Sequence, residues 1–199
     1  MSRIMVVGGT GLLGSAVVDA LQPDHEVIVV GHSSGEHQVD LASKSSIQQL
    51  FDTVDEVDHV VSAAGEAKFG PLVDLTDDDF EVGLRNKLMG QVNLVRAGHE
   101  YITDGGSITL TTGVLSRQPM EGSAAISLVN AGVEGFMRAA ALELGPDLRV
   151  NCVSPGWVAE TLEQMGRDPS DGVPAAEVAK AYVQSLNGSA NGEVIEVFG

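Results

Sequence analysis

RIMVVGGTGLLGSAVVDAL, residues 3–21, reads as a short apolar strand, a glycine-rich turn and the opening of an amphipathic helix. Gly9, Gly11 and Gly14 spell GxGxxG, while Gly8, Gly11 and Gly14 spell GxxGxxG, with Thr10 between them. Either spacing suits a backbone that turns sharply after the strand and comes close to whatever sits above it, which a side chain would prevent. The helix that follows carries Leu12, Leu13, Ala16, Val17 and Ala20 as an apolar face, and the free N–H groups of its first turn attract an anion. A turn that merely packs strand on helix is the plainer alternative. The position after a first strand and before an apolar helix face favours a pyrophosphate, and hence a dinucleotide, over that alternative.

The same strand-then-helix rhythm runs through the chain. EVIVV is followed by SKSSIQQLF, HVVSAAG by a long mixed segment, SITLTT by SAAISLVNAGVEGFMRAAALEL, and RVNCV and EVIEV close the series. This alternation predicts an α/β fold of the Rossmann-like, doubly wound kind: a parallel sheet with helices on both faces, formed by one domain over residues 1–199. Thr76 followed by Asp77, Asp78 and Asp79 predicts a capped helix start, which accounts for the acids without a functional role. The polar stretch from residue 158 to 174 is the candidate lid.

Composition narrows the partners. Lys+Arg 11 against Asp+Glu 28 gives a formal net charge of −17, which repels nucleic acids and anionic membrane surfaces. A high-salt source and an ordinary acidic surface both fit that charge. No apolar segment approaches a membrane span, and the single cysteine, Cys152 in RVNCV, reads as a small buried hydrophobe; together these predict a cytoplasmic chain. The histidines at 25, 32, 37, 59 and 99 lack metal-ligand spacing, so no metal site is expected. The strand EVIVV ends in Gly31, His32 and Ser33, where a carboxylate would hold a ribose 2′-hydroxyl. Its absence, with hydrogen-bond donors in its place, favours NADP, and NAD remains possible.

In order and content these motifs resemble the short-chain dehydrogenase/reductase family over nearly the whole chain. Val39-Asp40-Leu41 is similar to its adenine-contacting Asp-Leu, and Ser62-Ala63-Ala64-Gly65 to its Asn-Asn-Ala-Gly. RVNCVSPGWV is similar to its Arg-Val-Asn and Pro-Gly stretch, which implies Pro155, Gly156 and Val158 at the nicotinamide. The resemblance also implies a homodimer or homotetramer built on helices such as VEGFMRAAALEL.

The family passes a proton through a tyrosine whose pKa is lowered by a lysine four residues later, helped by a serine and an asparagine. Aligned on VNAGVEGF, this chain has Ile126 at the tyrosine position and Asn130 at the lysine position. Lys87 of KLMG stands at the asparagine position, and Thr112 of SITLTTG at the serine position, with Thr111 or Gly113 as one-residue alternatives. An NADP(H)-dependent oxidoreductase acting on a small carbonyl or alcohol would use Lys87 as a cation near the nicotinamide ribose, Asn130 as a hydrogen-bond partner and Thr112 to polarise the carbonyl. The alternative is a catalytically degenerate dinucleotide-binding protein in which Ile126 fills the missing ring's place. Tyr101 and Tyr182 fall in segments expected to pack elsewhere, and Trp157 suits a pocket wall and a packing role equally.

Overall fold

The computed structural model describes residues 1–198. Seven strands, β1 (Arg3–Val7), β2 (Glu26–Gly31), β3 (His37–Gln38), β4 (Val57–Ser62), β5 (Ile102–Thr111), β6 (Arg149–Pro155) and β7 (Val194–Val197), form one sheet. Its order is β3-β2-β1-β4-β5-β6-β7, with every neighbouring pair parallel. The chain winds one way from β1 to β3 and the other way from β4 to β7. The crossovers therefore diverge between β1 and β4, which opens a crevice at the carboxyl ends of those strands.

The helices are α1 (Leu12–Leu21), α2 (Lys44–Val54), α3 (Asp77–Val82), α4 (Met89–Gly98), α5 (Ala124–Leu144), α6 (Ala159–Gln164) and α7 (Ala175–Asn187). α1 and α7 pack together over one face of the sheet, where Val17, Leu21, Val178 and Tyr182 meet Ile4, Val6 and Val153. The opposite face takes α2, α4 and α5, with Phe51, Leu94 and Met137 against Met5, Val60, Ile108 and Val150. In α2, Ile47, Leu50, Phe51 and Val54 bury a single stripe, each worth about 1.5–3 kcal/mol. Because strands covered on both faces need apolar residues on both, β1 runs apolar from Ile4 to Val7, while β6 is buried from Val150 to Pro155 with Asn151 and Ser154 as polar interruptions.

Thr76 caps α3 through a reciprocal box with Asp79, as the Thr-Asp-Asp-Asp run predicts. The 158–174 stretch is tied down at both ends, unlike a free lid. Val158 bridges Val173, the Ala175 N–H donates to the Glu160 carboxylate at 2.9 Å, and Leu162 in α6 is fully buried. Among the described residues no helix is long and apolar enough to cross a membrane.

Candidate functional site

Two clefts lie along the carboxyl edge of the sheet. The first, about 480 Å³, is lined by Gly8, Thr10, Gly11, Gly31, His32, Val39, Leu41, Ala63, Ala64 and Gly65, together with Val7, Glu66 and Asn86. Glycine is required where it stands. Gly8 has φ +86, and a Cβ there would lie 2.7 Å from the Ala64 Cβ. A Cβ on Gly14 would overlap the Gly8 carbonyl oxygen and lie 2.6 Å from its carbon, so this glycine lets the first turn of α1 sit directly on the loop. Gly9 does similar packing work beneath the loop, facing Val29 and Val18. No side chain caps α1 at Gly11, which leaves the N–H groups of Leu12 and Leu13 for an anion. Leu13 itself packs into the core. This cradle of bare backbone at a helix start fits the pyrophosphate of a dinucleotide.

The side chains of Asp40, Ser33 and Val158, expected in the cofactor set, do not line either cleft. Asp40 does not line the cleft; its Oδ1 accepts from the Ala42 N–H at 2.9 Å, leaving Val39 and Leu41 as the walls there. Ser33 is exposed outside the lining, its carbonyl accepting from Gln38 Nε2 at 3.2 Å. Val158 stands at the start of α6 rather than in the wall of the second cleft.

The second cleft, about 140 Å³, gathers Lys87, Thr112, Ile126, Asn130, Pro155 and Gly156, with Gly113, Val114, Leu115 and Trp157. All four positions read as a catalytic set therefore face one cavity. Gly65 of the first cleft abuts Lys87 of the second. Its φ is +135, and a Cβ there would lie 2.8 Å from the Lys87 Cγ, so the missing side chain makes room for the lysine.

Lys87 reaches the cavity through a π-helical segment, Gly83–Leu88, between α3 and α4. Within it Arg85 is exposed while Lys87, two residues on, is buried. Its ammonium has one long partner, the Thr112 carbonyl oxygen at 3.5 Å. Burial holds the Lys87 pKa down to about 8, since the charged form has lost its water. One turn on, Gln91 braces the end of β5: Nε2 donates to the Thr111 carbonyl at 2.9 Å, and Oε1 accepts from the Thr111 N–H at 2.7 Å.

Thr112 shares the cleft, yet its hydroxyl proton is engaged. Oγ1 lies 3.2 Å from both the Asn130 carbonyl oxygen and Glu134 Oε1, and a hydroxyl has a single proton to give. The hydroxyl is thus directed into the protein, away from the carbonyl-polarising role expected of it. Asn130 offers a contrast: Nδ2 donates weakly to the Gly113 carbonyl at 3.4 Å, and Oδ1 is buried with no partner. Trp157 forms the outer wall, edge-on to Phe69 with ring centroids 6.5 Å apart and with the Arg167 guanidinium 5.1 Å from its ring. Tyr101 donates to Asp52, and the fully buried Tyr182 bonds Thr111, so neither phenol enters the cavity.

Glu134 is the functional-region residue that the motif reading passed over. This buried carboxylate accepts from Ser116 Oγ at 2.6 Å, Arg117 Nη1 at 2.9 Å and Arg138 Nη2 at 3.2 Å, besides Thr112. Arg117 continues to Glu196 at 2.8 Å, which links the loop after β5, α5 and the C-terminal strand. The available signal was its place four residues after Asn130, on the same helix face. Cys152 lies fully buried nearby, and its burial pushes the thiol pKa up, away from nucleophilic use.

The comparisons with known proteins agree with this geometry. The family model described as enoyl-(acyl carrier protein) reductase matches residues 14–191. The crystal structure of the protein lin1944 from Listeria innocua is 38% identical and covers 100% of both chains, with a TM-score of 0.95. A small-chain dehydrogenase in complex with NADPH is 28% identical over 99% of this chain and 96% of its own, with a TM-score of 0.87. Hydroxynaphthalene reductase arp2 of Aspergillus fumigatus is 29% identical over 147 residues, 71% of this chain and 52% of that one, so this chain spans about half of that relative's length. A match over residues 14–191, on a parallel sheet with a glycine-built crevice at its switch point, places the chain in the short-chain dehydrogenase/reductase family.

Proposed function

We propose that this chain is an NADP(H)-dependent oxidoreductase that reduces a small carbonyl compound or oxidises the corresponding alcohol. The observation that carries the reading is the junction at Gly65. There a glycine-built dinucleotide cleft meets a second cavity holding a buried lysine and an unpartnered amide oxygen. The loop of Gly8 to Gly14 and the first N–H groups of α1 would hold the pyrophosphate, Val39 and Leu41 the adenine, and Ala63 to Gly65 the adjoining ribose. Pro155, Gly156 and Asn130 would border the nicotinamide. When bound, the dinucleotide supplies or accepts the hydride. The substrate's apolar part would rest on Ile126, Leu115 and Trp157.

The preference for NADP rests on the missing carboxylate at Gly31 to Ser33 and is supported by the relative of known structure that carries NADPH. A homodimer or homotetramer belongs to the same proposal: the outer face of α5 leaves Leu142 at 85% exposed beside a groove containing Phe136 and Leu144. So does a cytoplasmic setting, in which the lone thiol stays reduced.

A fluorescence titration with NADPH and NADH, followed by a screen of aldehydes and ketones, tests the reading. NADPH is expected to bind more tightly than NADH and to be consumed with at least one carbonyl. Tighter NADH binding would reverse the cofactor assignment. Binding without turnover would leave a dinucleotide-binding protein, and no binding at all would refute both.

A further inference from the structure

We propose that Lys87 is the proton donor to the substrate oxygen, in a site where Ile126 offers no acid. The inference rests on the oxidoreductase reading above and assigns its missing proton. Among the ten residues that line the second cleft, Lys87 carries the only side chain that titrates between neutral and mildly alkaline pH. Thr112 has its proton turned toward Asn130 and Glu134, and amide and indole N–H groups do not release protons in this range. Tyr101 and Tyr182 are held elsewhere.

Geometry gives the lysine a vacant direction. An ammonium has three N–H donors, and this one has a single acceptor at 3.5 Å although the residue is only 9% exposed. A buried cation with so few partners is costly, and a carbonyl oxygen placed in the cleft would supply the acceptor it lacks. The stem lies against Gly65, in the space a side chain there would occupy.

The charged and titratable surroundings leave the proton on Lys87. On α5 stands Glu134, already shared by Arg117 and Arg138. On β6 stands Cys152, whose burial keeps the thiol protonated. Glu66, beyond Gly65, lines the first cleft. Loss of hydration brings the ammonium pKa to about 8, close to the pH at which a general acid works best.

The carbonyl carbon gains a hydride from a reduced nicotinamide dinucleotide, forming a C–H bond as the C=O π bond breaks. The oxygen takes a proton from Nζ, and the neutral amine recovers one from bulk water. Alcohol oxidation reverses each transfer, with neutral Lys87 accepting the hydroxyl proton.

Two measurements test this. The first needs no turnover: the chain contains only four lysines, at 44, 68, 87 and 180, so [13Cε]-lysine labelling gives four resonances that a Lys87→Arg sample assigns. The Lys87 resonance is expected to titrate at about 8, below the ordinary lysine value of 10.5, and to shift when NADP+ is added. The second follows NADPH oxidation with 4-nitrobenzaldehyde as the probe. kcat/KM for reduction is expected to fall as pH rises through the Lys87 midpoint, and oxidation of the corresponding alcohol to rise through it.

Lys87→Met should lower kcat by ~10²–10⁴ and abolish the inflection, while keeping a cooperative melt at or above the wild-type temperature. Lys87→Arg, which keeps the charge but holds its proton far more tightly, should not restore the rate. Overturning results are a Lys87→Met variant within threefold of the wild-type rate, restoration by Lys87→Arg, or a Lys87 resonance that titrates with the other three. NADPH binding with no reduction of any carbonyl refutes the proposal together with the enzymatic reading. Normal turnover that ignores Lys87 refutes the proposal alone.

Discussion

The glycine cleft and the Lys87 cleft abut at Gly65, yet the helix-start end of the first is made of backbone and the second holds buried polar side chains. Around Gly8, Gly11 and Gly14 the walls are peptide groups and the recognition element is a helix start without a side-chain cap. Around Lys87 the walls depend on an ammonium, an amide and a threonine whose hydroxyl is engaged by Glu134. Backbone walls carry no unpaired charge, so the first cleft costs the fold little and tolerates almost no added atoms. Side-chain walls hold poorly satisfied polar groups, so the second cleft costs stability and can be emptied without breaking the chain. Substitution should therefore act in opposite directions in the two places.

The largest effect is expected from Gly14→Ala. The new Cβ would collide with the Gly8 carbonyl and lie 2.9 Å from the Gly9 Cα, and these are backbone atoms that can yield only if the turn deforms. Overpacking of this kind costs up to about 3 kcal/mol, which corresponds to roughly a 100-fold loss of NADPH affinity if the deformation falls on the binding turn. Gly11→Ala should cost stability less, since its Cβ would meet only the Gly8 oxygen, at 3.3 Å. Thermal melts and NADPH titrations of both variants separate the cases. Unchanged NADPH affinity in Gly14→Ala would mean that the glycine cleft is not the dinucleotide site.

This division also explains what could be read from the amino-acid sequence. Backbone-built features leave local signatures, because glycine spacing, strand-then-helix alternation and the Thr76 cap each act within a few residues. The strand order β3-β2-β1-β4-β5-β6-β7, by contrast, is set by tertiary packing and is not contained in the alternation. The second cleft was legible only as a set of positions, through resemblance to a family whose motif places four residues together. What those residues do there depends on contacts distant in sequence. The Thr112 hydroxyl looks free in SITLTTG and is occupied because Glu134 arrives from a helix 22 residues away. Asp40 is the expected adenine contact, and its carboxylate is drawn instead to the nearer N–H of Ala42, two residues on. The π turn that carries Lys87 has no composition signal in GLRNKL, and its neighbours, Gly65 and α5, are distant in sequence.

A second effect runs the other way. The Lys87 pKa falls from 10.5 to about 8 on folding, and at 1.36 kcal/mol per unit the buried ammonium costs the fold about 3 kcal/mol near neutral pH. Lys87→Met keeps the stem and removes the charge, so its melting temperature at pH 7 should exceed wild type by up to roughly 10 °C. Between the folded and unfolded pKa values the unfolded chain binds the extra proton, so wild-type stability rises with pH across this window. The gap between the two proteins should then narrow as pH climbs from about 8 toward 10.5. Melts of both proteins at matched pH isolate the lysine from every other group that titrates there. A gap that does not change with pH would show that Lys87 carries no stored electrostatic cost, and the contrast between the clefts would fail.

The smallest effect is the most discriminating. Asn130 Oδ1 is buried and unpartnered while Nδ2 makes only a 3.4 Å contact to Gly113, so the amide contributes little to holding the fold. Asn130→Leu removes both groups at similar volume, and deletion of a poorly satisfied polar pair should change stability by less than ~1 kcal/mol. If Oδ1 is an acceptor for bound dinucleotide, the same substitution deletes one hydrogen bond from the complex. NADPH affinity should then fall roughly 3- to 10-fold, the equivalent of ~0.5–1.5 kcal/mol. The two readouts move independently only when an unpartnered atom serves a ligand. A drop of more than about 2 kcal/mol in stability with unchanged NADPH affinity would make Asn130 a packing residue. The lysine position of the family motif would then have been refilled for the fold rather than for the cofactor.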